Sequence, residues 1–312
     1  MLYFIVNKNS GSGKGADAWR KVQNVLRDRN IRYRAFCTEH EGHAYTLAGT
    51  ICENGDPDIC LIVVGGDGTA NEVINGITHF DRVRFGMIPT GSGNDFARGL
   101  QMKGDPAELL MQILQCAERG PQAARPIDLG EVSLPGMDTP RRFSISAGAG
   151  LDAIVCKKAL HSRLKKVLNH LHLGKLTYLF LTVHSLFSMK TADAAVCFDK
   201  DIQVSRRKAI CFAIMNFGAE GGGVPMAPHA SATDGRLSVC SIFGIPKWRA
   251  FLSLPLLVTA RHSKIRGFSV TDCRECRIKL KEKMLIHTDG EYCGKADRLH
   301  VACLPGLLRV LL

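Results

Sequence analysis

The stretch that most constrains this chain is "ICLIVVGGDGTANEVINGI" (59–77). An apolar run passes without a polar step into two glycines, a carboxylate and a third glycine, and then into apolar residues at helical spacing. A short, fully apolar run rich in β-branched residues predicts a strand buried on both faces, as in a parallel sheet. The same alternation recurs from residue 1 to about 120, through "LYFIV", "AWRKVQNVL", "YRAFCT", a helix after Gly42, and "VRFGMI". Such a βαβα order predicts an α/β domain whose parallel sheet is covered by helices on both faces. Ligands in that architecture lie beyond the carboxyl ends of the strands. Asn7 to Gly15, Thr38 to Gly42, Gly65 to Thr69 and Pro89 to Asn94 are therefore expected around one crevice.

After "RGPQAARPIDLG" the pattern changes to period 2, in "RRKAICFAIMNFG", "GRLSVCSIFG", "CRIKLK" and "LRVLL", which predicts a mostly antiparallel β domain. The division expected from sequence is 1–123 and 124–303, with the option that the last segment, 304–312, returns to the first domain. A helical insertion over about 152–188 interrupts the β pattern and carries Lys157, Lys158, Arg163, Lys165, Lys166 and Lys175.

The formal net charge of +12 over 312 residues draws anions, with nucleic acid, nucleotide phosphate and acidic lipid headgroups as candidates. Nucleic acid is set aside, because five Tyr and two Trp form no aromatic platform among the basic residues. The opening "MLYFIVNKNS" lacks a basic start and a cleavage signature, so it is read as a first strand and the expected compartment is the cytoplasm. The longest apolar segment, "LTYLFLTVHSLF", falls short of the roughly 20 residues a bilayer-spanning helix needs, so no transmembrane segment is expected. Twelve scattered cysteines suggest reduced, buried thiols. Cys273 and Cys276 form a CxxC followed only by the isolated Cys293 and Cys303, and are read as strand cysteines and not as a zinc site. His40 and His43 lie three apart and not four, which excludes a zincin pair.

Glycine-rich loops carry the remaining signal. "GSGKGA" (11–16) and "GAGLDA" (148–153) both satisfy GxGxxA, and two matches in one chain show how weak that pattern is. The first is not a Walker loop, since Lys8 stands where a glycine is needed and Gly15 where Ser or Thr is needed; a phosphate loop and a flexible turn both stay open. In "GGDGTANE" the glycines permit close backbone approach, Thr69 can cap a helix, and Asp67 can reach a magnesium ion. "PTGSGND" repeats that logic with Ser92, Asn94 and Asp95.

"GGDGTANEVINGI" followed by "IPTGSGNDFARGL" resembles the diacylglycerol kinase catalytic-domain family, soluble bacterial lipid kinases of diacylglycerol and sphingosine kinase type. "GAGLDA", "NFGAEGGGVPMAPHASATDGRLSV" (216–239) and "HTDGEYC" (287–293) extend the likeness along the chain, while Lys8 replaces the proline common in the family's first loop. The resemblance implies an α/β ATP-binding domain with a parallel sheet, like that of phosphofructokinase and NAD kinase, plus an antiparallel β-sandwich domain. It implies ATP contacts at Asn7, Thr38, Gly65, Gly66, Asp67, Gly68, Thr69, Ala70, Asn71, Ser92, Asn94 and Asp95, with Asp67 and Asp95 near a catalytic Mg2+. It further implies a structural Mg2+ held by the main-chain oxygens of Ser231 and Arg236 and the carboxylate of Asp234, where the residues alone equally allow a metal-free Asp-Gly turn. A general base is implied at Glu291, with Asp289 its competitor.

The implied reaction is transfer of the γ-phosphate of ATP to diacylglycerol, giving phosphatidic acid. Sphingoid bases, phosphatidylglycerol and undecaprenol are alternative acceptors, and NAD kinase shares the GGDG logic. A dinucleotide-binding oxidoreductase needs an acidic residue ending the second strand; Glu39 supplies one, but the GxGxxA is poorly in register. The expected partners are a lipid substrate at a membrane surface and anionic phospholipid, met through the basic stretch Lys157 to Lys175, with peripheral membrane association and a homodimer left open.

Overall fold

A computed structural model describes residues 1–161 and 174–312, apart from the side chains of 159–161, 174–179 and 263. Two compact units divide it. The first comprises Met1–Leu129, Gly221–Gly223 and Leu304–Leu312, the second Gly130–Glu220 and Val224–Cys303. The division at Leu129 lies later than the break at 123 read from the sequence.

In the first unit, β1 (Leu2–Val6), β2 (Tyr33–Cys37), β3 (Ile59–Gly65) and β4 (Val83–Pro89) form a parallel sheet in the order β2-β1-β3-β4. Arg309 and Val310, at the end of the last strand, extend it by pairing parallel to β4. Every residue of β3 is buried, as expected for a strand covered on both faces. Between the strands run α1 (Lys14–Asp28), α2 (His43–Glu53) and α3 (Asp67–Gly76), followed by the single turn α4 (Asp95–Gly99) and α5 (Pro106–Glu118). Helix α1 buries Ala18, Trp19, Val22 and Leu26, one apolar stripe at helical spacing. Helix α5 starts at a capping box: Asp105 accepts the N–H groups of Ala107 and Glu108 while the Glu108 carboxylate accepts that of Asp105. Glu72, on α3, accepts the N–H groups of Gly42 and Ala44 at 2.9 and 3.1 Å and so caps α2 from a neighbouring helix.

In the second unit, β7 (Ser146–Gly150), β10 (Cys211–Met215), β11 (Leu237–Ile242) and β12 (Phe268–Cys273) are antiparallel neighbours. The long β13 (Glu275–Thr288) pairs with β7, with β8 (Ala192–Phe198) and with β14 (Glu291–Val310), and β9 (Ile202–Ala209) pairs with β8. Strand β5 (Arg125–Ser133) pairs with β6 (Arg141–Phe143). Helices α6 (Leu151–His161), α7 (Gly174–Ser188), α8 (Lys247–Leu252) and α9 (Leu254–Val258) complete this unit. Its alternating strands bury Val196, Phe198, Phe212, Ile278 and Leu299 in one core. Cys273 and Cys276 are buried strand thiols of that core. No helix among the described residues is long and apolar enough to cross a membrane.

The aromatic cluster beneath β1 anchors the first sheet: the Phe4 ring packs 5.3 Å from Trp19 and 5.6 Å from Tyr33. Phe4→Ala should cost about 3–5 kcal/mol of unfolding free energy, read from denaturant titration, whereas a loss below about 1 kcal/mol would contradict this packing role.

Candidate active site

In the first unit the carboxyl ends of the parallel strands bring together the four loops expected there. The chain leaves β1 through Asn7, whose Nδ2 donates to Thr69 Oγ1 at 3.1 Å. A turn of 3-10 helix (Ser10–Gly13) follows, with Gly11, Ser12 and Gly13 all left-handed. A Cβ on Gly11 would lie 2.0 Å from the Thr90 carbonyl oxygen, so this glycine lets the first loop rest on the fourth. Ser10 Oγ and Thr90 Oγ1 meet at 2.5 Å on the same line of contact. Thr38, half-buried at the end of β2, donates its N–H to Val6.

The third and fourth loops touch backbone to backbone, because a Cβ on Gly91 would stand 2.8 Å from Gly66 Cα. Asp67 fastens the contact: its Oδ2 accepts the N–H of Asp95 at 3.0 Å and its Oδ1 that of Phe96 at 3.2 Å. A carboxylate there satisfies the first donors of α4 and favours the positive end of that turn. Asp95 is itself buried, ion-paired with Arg98, and accepts the N–H of Gly222 at 2.9 Å. Asn94 is left-handed and donates to Gly91 O at 3.0 Å, while Ser92 is exposed. Helix α3 starts at Gly66 with no side-chain cap, and this end of a helix, whose dipole favours an anion, lies among these loops.

Two expected ATP contacts do not belong to this surface. Ala70 and Asn71 are fully buried in α3; the Ala70 N–H already bonds Gly66 O, and Asn71 is bonded by Asn75. They sit on the face of the helix turned to the core, which a motif read as a string does not separate from its exposed face. Arg98, which also donates to Gly93 O at 3.0 Å, is a loop-holding residue that sequence reasoning missed; its i+3 position from Asp95 was the available signal. The magnesium expected at Asp67 and Asp95 finds both carboxylates already engaged by main-chain N–H groups or Arg98. At 231–236 the Asp234 carboxylate accepts the Arg236 N–H at 2.9 Å, closing the turn on itself, and the exposed carboxylate shows no orphaned buried acceptor that would mark a cation site.

The second unit holds the acidic turn. Asp289, left-handed and buried, accepts four hydrogen bonds: from Ser144 N and Oγ at 2.8 and 3.0 Å, Ile145 N at 2.8 Å and Ser146 N at 3.0 Å. Main-chain N–H groups and a hydroxyl on its two oxygens make this carboxylate part of the scaffold of the turn. Glu291, two residues on at the start of β14, is half-exposed. Of the two residues expected as base, Asp289 is built into the turn, and Glu291 begins the strand that follows it. Asn216 supports the same turn by donating to Ser144 O at 2.8 Å.

His287 precedes the turn, fully buried, and its Nδ1 accepts the Gly290 N–H at 3.2 Å. Its Nε2 faces Asp152 Oδ2 at 2.9 Å, a charge contact off the line of a good hydrogen bond. A Cβ on Gly148 would fall 1.9 Å from that carboxylate oxygen, so the first glycine of "GAGLDA" makes room for an ion pair and belongs to no dinucleotide loop. Cys156 joins Asp152 and His287 as a group with ligand-type atoms within 4.8 Å of one another. The 2.9 Å contact is shorter than the about 3.3 Å that two ligands around a tetrahedral ion keep, so the group is read as an ion pair. His40 and His43 stack at 4.9 Å with His43 Nδ1 accepting the Glu39 N–H, and form no metal group among the described residues. A cavity of about 790 Å³ beside Leu134, Val196, Val204 and Leu299 contains none of the expected site residues and is not read as the active site.

These loops and this turn have known counterparts. A family model described as the diacylglycerol kinase catalytic domain matches residues 1–132, and one described as the YegS C-terminal NAD kinase beta sandwich-like domain matches residues 145–312. A protein of Bacillus subtilis strain 168, YtlR, provisionally named a lipid kinase, is 30% identical over 99% of this chain and 98% of its own. The chain belongs to the diacylglycerol kinase catalytic domain family. A diacylglycerol kinase of Staphylococcus haemolyticus is 28% identical over 93% of this chain and 82% of its own. A solved structure described as a diacylglycerol kinase from Bacillus anthracis strain Sterne shares the fold, with a TM-score of 0.69 at 18% identity over 99% of this chain and 96% of that one. Membership makes ATP the substrate implied for the loop cluster and removes the oxidoreductase reading of GxGxxA. The fold is the one implied by the resemblance: a parallel α/β unit and an antiparallel sandwich.

Of the expected basic stretch, Arg163, Lys165 and Lys166 lie outside the described residues, as does the side chain of Lys175. Lys157 Nζ sits 4.1 Å over the Tyr292 ring, and Lys158 Nζ meets His184 Nδ1 at 3.0 Å.

The His287 pair yields a pH dependence. Burial alone would lower the imidazole pKa, but the Asp152 carboxylate, reinforced by Glu220 and Asp289, outweighs it and raises the value from 6.5 to about 9. Because the folded value is the higher, the stabilisation is fully present below about pH 6.5 and is lost as pH rises through about 9. Thermal unfolding followed from pH 6 to pH 10 should show that decline in the intact protein and a flatter profile in Asp152→Asn. An unchanged slope in the variant would refute the assignment.

Proposed function

We propose that this protein is an ATP-dependent lipid kinase whose acceptor is diacylglycerol, giving phosphatidic acid. The observation that carries the reading is the uncapped start of α3 among loops stacked through Gly66 and Gly91, in a chain of this family. Relatives named diacylglycerol kinases support the acceptor.

The chemistry asks for positioning more than covalent work. Phosphoryl transfer needs the nucleotide phosphates held in line and their charge neutralised. The bare backbone at Gly65, Gly66 and Gly68, the first-turn N–H groups of α3, and the exposed Lys14 at the start of α1 supply donors and positive charge for that purpose. Asn7, Thr38, Thr69, Ser92 and Asn94 line the same loops as polar contacts. Kinases take ATP with a divalent cation, which would arrive with the nucleotide. Glu291 accepts the proton of the acceptor hydroxyl as it attacks, while Asp289 and the His287–Asp152 pair keep the turn that presents it.

A radiolabelled ATP assay in mixed micelles, with diacylglycerol beside a sphingoid base, phosphatidylglycerol and undecaprenol, tests both reaction and acceptor. Labelled phosphatidic acid is expected, and transfer to another lipid only would replace the acceptor. Glu291→Gln should lower kcat by about 10²–10⁴-fold with little change in unfolding free energy. Asp289→Asn should instead lose roughly 2–4 kcal/mol of stability, because it turns an amide donor toward buried N–H groups. The reverse pattern would exchange the two roles.

A further inference from the structure

The second unit displays an apolar surface that its own core does not use. On α8, α9 and the end of α7, Phe187, Trp248, Phe251, Leu252, Leu256 and Val258 are all exposed, Leu252 and Val258 by more than three-fifths. The Phe187 and Phe251 rings lie 6.1 Å apart, which joins the end of α7 to α8 in one patch. Lys247 fastens the two elements by donating to the carbonyls of Phe187 and Met189. Ala250 and Leu257 point the other way, into the core, so the exposed residues form the outer face of an anchored element and not a frayed end. Single exposed apolar residues are ordinary, but a contiguous set with a tryptophan marks a contact surface.

Charge identifies the partner. From Phe243 to Val270 the sequence contains no Asp or Glu but carries Lys247, Arg249, Arg261, Lys264 and Arg266, and residues 153–192 likewise contain no acid. A twofold pairing with a second copy would set these cations against each other with no acids to match them. An anionic bilayer supplies phosphates for the cations and an acyl boundary for the apolar side chains, and tryptophan favours that interface.

We propose that α8, α9 and the end of α7 form the surface by which the protein lies on an anionic bilayer, with Trp248 and Leu252 entering the headgroup and acyl boundary. The proposal rests on the lipid-kinase reading for its purpose, but its test does not. Trp19 is buried and Trp248 half-exposed, so a change in tryptophan emission reports this surface. The intact protein is titrated with vesicles of phosphatidylcholine alone and of equimolar phosphatidylcholine and phosphatidylglycerol, with cosedimentation and emission read together. Binding to the mixed vesicles, a blue shift and weakening with salt are expected. Trp248→Ser combined with Leu252→Ser should weaken binding at least about tenfold, and Arg261→Glu combined with Lys264→Glu by a similar factor. Both variants should keep the far-UV spectrum and the activity on a water-soluble short-chain diacylglycerol. Absence of binding, or binding that neither variant weakens, overturns the proposal. So does a concentration-dependent dimer that shifts Trp248 emission without vesicles, which gives the face to a second copy. Should vesicle binding fall in the variants while the wild type phosphorylates no lipid, the docking surface stands and the kinase reading fails.

Discussion

The candidate nucleotide site depends on one close approach, that of the Gly66 and Gly91 backbones, locked by the Asp67 carboxylate on the N–H groups of Asp95 and Phe96. Parallel strands deliver loops to one end of a sheet, but they do not fix how far apart those loops stand. Here the absence of Cβ atoms lets the third and fourth loops touch, and a buried acceptor keeps them in register. Gly11 against the Thr90 carbonyl brings in the first loop by the same device. The glycines thus build the platform first, and bare backbone for a phosphate is a consequence of that platform.

The second unit treats its carboxylates differently. Asp289 is surrounded by four donors and serves as scaffold, Asp152 charges the buried His287, and Glu291 stands two residues from the scaffold on the strand that follows. Environment separates acids that look equivalent in the string "TDGE": one is buried and wrapped by main-chain donors, the other is half-exposed. Gly148 is the hidden term of this arrangement, since any side chain there would occupy the space of the Asp152–His287 contact.

Much of the frame was legible in the sequence for a physical reason. The apolar run of β3 is uniform because both its faces are covered, and the period-2 strands of the second unit alternate because one face packs on a core. The loops that converge could be named from strand order alone. What could not be read depends on partners distant in sequence. The sequence offers Asp67 as a metal ligand and Asp289 as the competitor of Glu291 for the base, but it does not show that Asp67 accepts the first N–H groups of α4 or that Ser144 to Ser146 surround Asp289. Ala70 and Asn71 were carried along with their motif although they face the core. In "WRAFLSLPLL" local apolarity does not tell which face meets the core, with Ala250 and Leu257, and which is left outside.

The central claim is that the loops at the ends of β1 to β4 hold the nucleotide. Amide hydrogen exchange of the intact protein with and without a non-hydrolysable ATP analogue and magnesium tests it most directly. Slowed exchange is predicted at residues 7–15, 65–69 and 89–95, with the buried interior of β3 unchanged because it is already protected. Protection confined to other segments, or none at saturating analogue, would contradict the account.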